Sequence, residues 1–185
     1  MIVSTHINYI DAVDSTRDNA AEPPWLTGAE HQMWRAYLDT TRLLMRRLDR
    51  QLTADSGISL ADFELLALLS EADGHRMRMS ELADIAVTTR SGVTRAVRRL
   101  TEAGWVRQIP CDDDKRGQYA ELTASGHDAL RSAAPGHVSA VRENFFDALS
   151  PREVELFTHA YARILDNLAQ RNAARNLSRP AIPTV

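Results

Sequence analysis

Apolar side chains recur every three or four residues in several long segments of this chain, which is the spacing of an amphipathic helix. The first segment runs from Trp25 to Leu52. Its apolar positions include Met33, Trp34, Tyr37, Leu38, Leu44, Met45, Leu48 and Leu52. This pattern predicts one long helix over residues 25–56, and its apolar stripe is longer than a small neighbouring domain could cover.

Helix-start signals place three further helices. Ser59, with Asp62 three residues later, precedes one apolar run, and Ser80 is expected to cap a short helix. Ser150 and Glu153 form a capping box with a proline between them, which is typical of a helix start. The helix after Ser150 would carry a stripe of Val154, Phe157, Tyr161, Ile164 and Leu168. Such a stripe needs a partner, which the first helix can provide from the same chain or from a second copy.

A predicted helix between Thr88 and Gly104 has two chemically distinct sides. Thr88 and Thr89 can accept hydrogen bonds from a first helical turn, and Gly104 tolerates the left-handed conformation that ends a helix. One side is apolar and consists of Val93, Ala96, Val97 and Leu100. The other side carries Arg90, Ser91, Thr94, Arg95 and Arg98. Arginine reaches guanine or phosphate and small hydroxyl groups allow close approach, so this side suits the major groove of DNA; the alternative is a solvated charged face.

The two segments that follow, 105–109 and 118–122, alternate between apolar and polar residues as half-buried strands do. They predict a β-hairpin whose loop is too long for a tight turn. That loop holds three aspartates followed by Lys115 and Arg116. We expect Asp114 to organise the loop, Lys115 to contact phosphate, and Arg116 to enter the minor groove, whose negative potential attracts arginine.

The rest of the chain is less regular. Residues 1–24 are polar and predict a flexible arm, and residues 172–185 predict a disordered tail. Residues 124–149 predict a helix that Pro135 and Gly136 should kink or break, because proline removes a helical hydrogen bond.

Several short motifs resemble the MarR family of bacterial transcription regulators over about residues 30–170. They are Leu82-Ala83, the run from Arg90 to Arg95, Leu100 with Gly104, Asp114-x-Arg116-Gly117, and Leu122-Thr123-x-x-Gly126. The chain departs from the family at Cys111-Asp112, where Asp-Pro or Cys-Pro often stands. The resemblance implies a mainly α-helical fold with a small β-hairpin wing.

The same resemblance divides the chain into functional parts. It implies a winged helix-turn-helix DNA-binding domain over 57–123. It also implies dimerisation helices from both ends of the chain, over 25–56 and 124–171. Two recognition helices held about one turn of DNA apart would read a palindrome, so we expect a homodimer on a palindromic operator in double-stranded DNA.

Composition and charge fit a small DNA-binding regulator. The 185 residues are 44% hydrophobic, enough for one domain with a dimer interface. The net charge is −3, yet residues 76–116 contain nine Lys or Arg against six Asp or Glu, so positive charge is concentrated around the predicted DNA surface. With no membrane-length apolar run and no signal segment, a cytoplasmic protein without membrane contact is expected, and a single cysteine excludes an internal disulfide.

Regulators of this family often respond to a small aromatic or anionic molecule between the dimerisation helices and the DNA-binding lobe. By resemblance, such an effector would lie near Trp34, Tyr37, Asp62 and Phe63. The alternative for these residues is ordinary packing, since aromatic stripes at helical spacing usually belong to cores and interfaces. The expected function is therefore that of a ligand-responsive repressor.

Other functions are less well supported by the sequence. The six histidines show no metal-ligand spacing, no Ser or Cys lies in a nucleophile context, and there is no glycine-rich phosphate loop, so no enzyme, metal or cofactor is expected. An architectural DNA-binding protein without an effector is one alternative. A redox sensor through Cys111 is another, although the aspartates that follow disfavour a reactive thiolate.

Overall fold

In the computed structural model of the chain, the described residues are 25–85, 90–111 and 117–177, with the backbone alone for 90 and 172–177. These residues form helices α1 Gly28–Ser56, α2 Leu60–Glu71, α3 Met79–Ile85, α4 Arg90–Glu102, α5 Ala124–Asn144 and α6 Pro151–Leu177, and strands β1 Arg76–Arg78, β2 Val106–Pro110 and β3 Gln118–Leu122. The fold is therefore mainly helical with a small sheet, as predicted. By internal contacts the chain divides into two compact units, Met1–Asp39 and Thr40–Val185.

The described part of the first unit contains the start of α1. Thr27 and Glu30 form a capping box in which the Thr27 backbone N–H donates to Glu30 Oε2 at 2.8 Å and the Glu30 N–H donates to Thr27 Oγ1 at 3.3 Å. The predicted arm, residues 1–24, lies outside the described residues. The long helix predicted from the apolar spacing is thus present and begins after Thr27.

The main core of the second unit lies between α2, α3, α4 and the sheet. Its buried members are Leu65, Leu66, Leu69, Leu82, Val93, Ala96, Val97, Leu100, Val106, Ala120 and Leu122. The four apolar residues predicted for the inner side of α4 are all among them. A second cluster joins the end of α1 to α2 and α5 through Leu52, Phe63 and Ala133.

The sheet is antiparallel with strand order β1-β3-β2. Strand β3 has the predicted limits, and β2 begins at Val106, one residue later than predicted, pairing with Leu122. Strand β1 was not predicted, because three residues with the sequence Arg-Met-Arg are too short to show a periodicity. It adds two arginines to the sheet, beside the strand that leaves the hairpin loop.

Ser80 does not cap α3, contrary to the prediction. The helix already begins at Met79, directly after β1, so Ser80 lies inside the first turn and cannot be the residue that precedes the helix. Glu81 closes the start instead, since its Oε2 accepts a hydrogen bond from the Arg78 backbone N–H at 3.2 Å. Strand and helix therefore meet without a linking loop.

Of the two outcomes predicted at Pro135 and Gly136, the break is wrong, because α5 continues without interruption from Ala124 to Asn144, and the kink stays a prediction. Gly136 has a packing role instead: a Cβ atom there would lie 3.1 Å from Gln51 Nε2 of α1. Helix α1 therefore approaches α5 closely at Gly136.

Helix α6 begins as predicted and ends later than predicted. The Ser150 backbone N–H donates to Glu153 Oε2 at 2.8 Å, which closes the expected capping box. The helix continues to Leu177, so the prediction of a disordered tail from residue 172 is wrong for 172–177, while 178–185 lie outside the described residues. Alanine, arginine and leucine are good helix formers, and they prolong the helix beyond its apolar stripe.

Candidate nucleic-acid interface

Helix α4 has a fully buried side and an exposed polar side. Val93 and Val97 are 0% exposed and Leu100 is 1% exposed. The residues predicted to face DNA that the structure describes with side chains are all exposed: Ser91, Thr94, Arg95 and Arg98. The buried stripe fixes the rotation of the helix about its axis, and therefore fixes which side chains point outward. Arg90 begins the helix, and Thr89 lies outside the described residues.

The end of α4 is fixed by a glycine in the left-handed region. Gly104 has φ +75°, and its N–H donates to Thr101 O at 3.0 Å, while the Trp105 N–H donates to Leu100 O at 2.9 Å. These two bonds form a Schellman motif, which satisfies carbonyls that the helix end would leave unpaired. The chain then enters β2 directly, so α4 and the hairpin have a fixed mutual geometry.

A second joint ties the hairpin to α5. The Thr123 Oγ1 hydroxyl donates to Gly104 O at 2.8 Å and accepts from the Gly126 N–H at 3.1 Å. The Thr123 N–H donates to Trp105 O at 3.0 Å. A Cβ atom at Gly126 would overlap the Trp105 carbonyl oxygen and lie 2.8 Å from Leu122 Cδ1. The Leu-Thr-x-x-Gly motif therefore connects the end of α4, the sheet and α5 through closely packed hydrogen bonds.

An ion pair joins α4 to α2. Arg99 Nη2 donates to Asp62 Oδ1 at 2.7 Å, and Arg99 Nε donates to Asp62 Oδ2 at 3.4 Å. The Asp62 side chain is 13% exposed and the Arg99 side chain 51%. This fork-shaped contact orients α4 with respect to α2. Asp62 is one of the predicted effector residues, whereas Arg99 was not predicted as its partner, because nothing in the sequence shows that residues 37 positions apart meet.

The outer face of the sheet is rich in arginine. The guanidinium carbons of Arg76 and Arg78 lie 5.0 and 5.5 Å from the centre of the Tyr119 ring. Arg107 pairs with Glu121 across β2 and β3, and this contact raises the pKa of Arg107 above its ordinary value. Because Glu121 balances the charge of Arg107, the net positive charge of the described strands comes from Arg76 and Arg78.

The tip of the hairpin, residues 112–116, lies outside the described residues. The predictions for Asp114, Lys115 and Arg116 concern this segment and stay predictions. At its base, the Cys111 N–H donates to Gly117 O at 3.0 Å, which closes the loop. Cys111 itself is buried, with 4% of its surface exposed, so bulk oxidants have little access to the thiol.

The four predicted effector residues are divided between the two units. Trp34 and Tyr37, in the first unit, stack on each other with ring centres 5.5 Å apart, and they are 46% and 39% exposed. Asp62 and Phe63 are neighbours on α2 in the second unit, where Phe63 is 8% exposed and its ring centre lies 4.5 Å from that of His137. Burial lowers the pKa of His137.

Two buried polar atoms near this second pair lack a hydrogen-bond partner among the described residues. They are His137 Nδ1 on α5 and Gln51 Oε1 on α1. Buried polar atoms are usually paired, so each such atom marks a place where water or a ligand would be accommodated.

Among the described residues, no helix combines the length and apolarity needed to cross a bilayer.

Comparison with known proteins agrees with this geometry. A family model described as MarR family matches residues 56–117. The HTH-type transcriptional repressor YetL of Bacillus subtilis is 32% identical to the chain over 114 residues, which are 60% of this chain and 68% of YetL. Among solved structures, Sco3205, a MarR family transcriptional regulator from Streptomyces coelicolor solved in complex with DNA, is 44% identical with a TM-score of 0.73, covering 80% of this chain and 93% of Sco3205. AbsC, a MarR family transcriptional regulator from the same organism, is 36% identical with a TM-score of 0.72, and the match covers 80% of this chain and 99% of AbsC.

Proposed function

The chain belongs to the MarR family of transcription regulators, a family of DNA-binding proteins and not of enzymes, and from this premise we propose that it is a homodimeric repressor of a palindromic operator. The observation that carries the proposal is α4, whose apolar side is buried while Ser91, Thr94, Arg95 and Arg98 are exposed. A repressor of this kind acts by occupying the promoter. DNA is its site of action, so we place it in the cytoplasm.

The proposed DNA contacts fall into two groups. The first group lies in or beside the major groove, where arginine reads guanine or binds phosphate. It consists of Thr89, Arg90, Ser91, Thr94, Arg95 and Arg98. From the hairpin loop, Arg116 enters the adjacent minor groove and Lys115 binds phosphate, with Asp114 shaping the loop. The positive sheet face behind the loop supports this proposal, since it favours approach to a polyanion.

Helix α6 supports the proposal of a homodimer. None of its described side chains is buried, and the exposed apolar ones are Leu156, Phe157, Tyr161, Ile164, Leu165 and Leu168. An exposed apolar stripe of this length is typical of an interface. We expect the protein to sediment as a dimer at micromolar concentration, and Leu165→Glu to yield monomers. The polar control Glu155→Ala should leave the dimer intact, whereas a monomeric parent would contradict this architecture.

The DNA-binding surface is tested by removing one exposed arginine from α4. Arg95→Ala should weaken binding to a selected duplex by about 1–3 kcal/mol per half-site if it reads a base, or lower the salt dependence by about one charge if it binds phosphate. Arg131 is a matched control, because its side chain is 75% exposed on α5 and its removal changes the net charge equally. Equal losses in Arg95→Ala and Arg131→Ala would show a nonspecific charge effect and would refute the assigned surface.

We propose that a small aromatic or anionic effector releases the repressor from DNA, with Trp34, Tyr37, Asp62 and Phe63 as its binding residues. The exposed, stacked Trp34 and the unpaired atom of His137 near Phe63 support this. Benzoate and indole-3-carboxylate are suitable probes. They should quench tryptophan fluorescence in the parent but less in Trp34→Phe, and should release bound DNA. No change in either signal would count against the site.

Two alternatives are distinguishable by experiment. An architectural protein would bind all duplexes within a small factor, whereas a regulator prefers its operator by about 10³ or more. A redox sensor would lose DNA binding on peroxide treatment in the parent but not in Cys111→Ser. The burial of Cys111 favours the effector mechanism over the redox one.

A further inference from the structure

Helix α1 carries a cluster of arginines that the DNA surface does not use. Arg46, Arg47 and Arg50, together with Leu43, line a groove of about 370 Å³, which we call the arginine groove. These positions are three or four residues apart, so their side chains adjoin on one side of the helix. The groove lies within the second compact unit.

The charges of the groove are not neutralised within the described residues. Arg46 and Arg50 are exposed, and no carboxylate in the described ranges pairs with either. Arg47 Nη1 donates to a neutral partner, the Asn144 Oδ1 of α5, at 3.2 Å. Asp49 lies beside these arginines in sequence, but its Oδ1 accepts from the Leu60 N–H at 2.9 Å and so caps the start of α2.

Like charges four residues apart on a helix repel each other, so Arg46 and Arg50 oppose the helix that carries them. An oxyanion between them would reverse that effect, because guanidinium groups donate paired hydrogen bonds to phosphate and carboxylate oxygens. The hydrogen bond from Arg47 to Asn144 already holds a third guanidinium at the groove before any anion binds.

We propose that the arginine groove binds a free small polyanion, namely a phosphorylated metabolite with two or more negative charges. Arg46 and Arg50 are its principal ligands, Arg47 is a third, and the exposed Leu43 contacts its apolar part. The site is separate from the aromatic pair of Phe63 and His137. On α5 its neighbour is Asn144, which lies about two helical turns beyond His137.

The proposal is tested by calorimetric titration of the full-length protein with inorganic pyrophosphate at low ionic strength. We expect saturable binding of about one pyrophosphate per chain, weakened about tenfold or more in Arg46→Gln/Arg50→Gln. Glutamine keeps the aliphatic stem and the helix propensity, and circular dichroism checks the helical content. The control Arg131→Gln/Arg152→Gln removes equal charge from exposed positions on α5 and α6 and should leave the affinity unchanged.

Four outcomes would overturn the proposal. Absence of saturation, or equal weakening in the two double variants, would mean that pyrophosphate only screens surface charge. A change in the sedimentation of Arg46→Gln/Arg50→Gln would make the groove a contact between copies of the chain. Reduced affinity and salt dependence for duplex DNA in this variant would mean that the arginines bind DNA phosphates and not a free anion. Retained dimerisation and DNA binding, with lost pyrophosphate binding, is the expected combination.

Discussion

The ion pair between Asp62 and Arg99 provides the most direct test of how the fold orients α4 with respect to α2. We predict that Asp62→Asn, Arg99→Gln and the double variant will show a favourable coupling energy in the free energy of unfolding. Asparagine keeps the shape of aspartate, and glutamine keeps most of the arginine stem. The double-mutant cycle then isolates the pair from other effects of each change.

The size of this coupling follows from exposure and geometry. Exposed pairs contribute about 0.2–1 kcal/mol, whereas breaking a buried pair costs about 3–5 kcal/mol. Asp62 is 13% exposed and Arg99 51%, and two donors reach the carboxylate, so the pair lies between these limits. We expect about 1–2 kcal/mol, which corresponds to about 2–8 °C in Tm for a chain of this size.

Thermal unfolding at a fixed protein concentration measures the coupling, and fluorescence anisotropy measures DNA affinity. Arg98 and Glu102 are the internal control: they form a pair 3.6 Å apart on the same helix, but both are about 70% exposed, so their coupling should stay below about 0.5 kcal/mol. Asp62→Asn should also weaken operator binding by up to about 5- to 30-fold, because α4 loses its tie to α2. Equal couplings for the two pairs, or unchanged operator affinity in Asp62→Asn, would refute the positioning role.

Two further predictions follow from the packing. Gly126→Ala should destabilise the protein by about 1–3 kcal/mol, measured by denaturant unfolding, because the new methyl group would overlap the Trp105 carbonyl oxygen; unchanged stability would show that the joint can open. Burial lowers the pKa of His137 below its usual 6.5, so the unfolded chain takes up this proton first and stability declines as pH falls through about 6.5. His137→Gln should therefore lose less Tm than the parent between about pH 7.5 and about pH 5.5. An identical pH dependence in both proteins would contradict this.

The sequence predicted well those features that depend on neighbouring residues. The inner side of α4 follows from helical spacing alone, and Val93, Val97 and Leu100 are all buried as expected. The cap at Ser59 is likewise a local pattern, and its side chain accepts from the Asp62 N–H. The alternation of apolar and polar residues also predicted correctly where β3 begins and ends. In each case the spacing of residues in the sequence determines the structure.

Features that depend on distant residues were missed or predicted wrongly. Helix α5 continues across Pro135 although proline removes a helical hydrogen bond, and the close approach of α1 to Gly136 is a contact that no local rule anticipates. The partner of Asp62 is Arg99, and only the folded chain brings the two together. The arginine groove has no signature in the sequence either, because its residues form part of an ordinary amphipathic helix.

The central claim, a dimer that recognises one operator sequence, is tested most directly by selecting duplexes from a random pool with the purified protein. Affinities for the selected and for scrambled DNA are then compared at one stated salt concentration. We predict a palindrome of roughly 16 to 20 base pairs, bound about 10³-fold or more tightly than scrambled DNA. Tight binding with no enriched sequence would contradict the account and would identify an architectural DNA-binding protein.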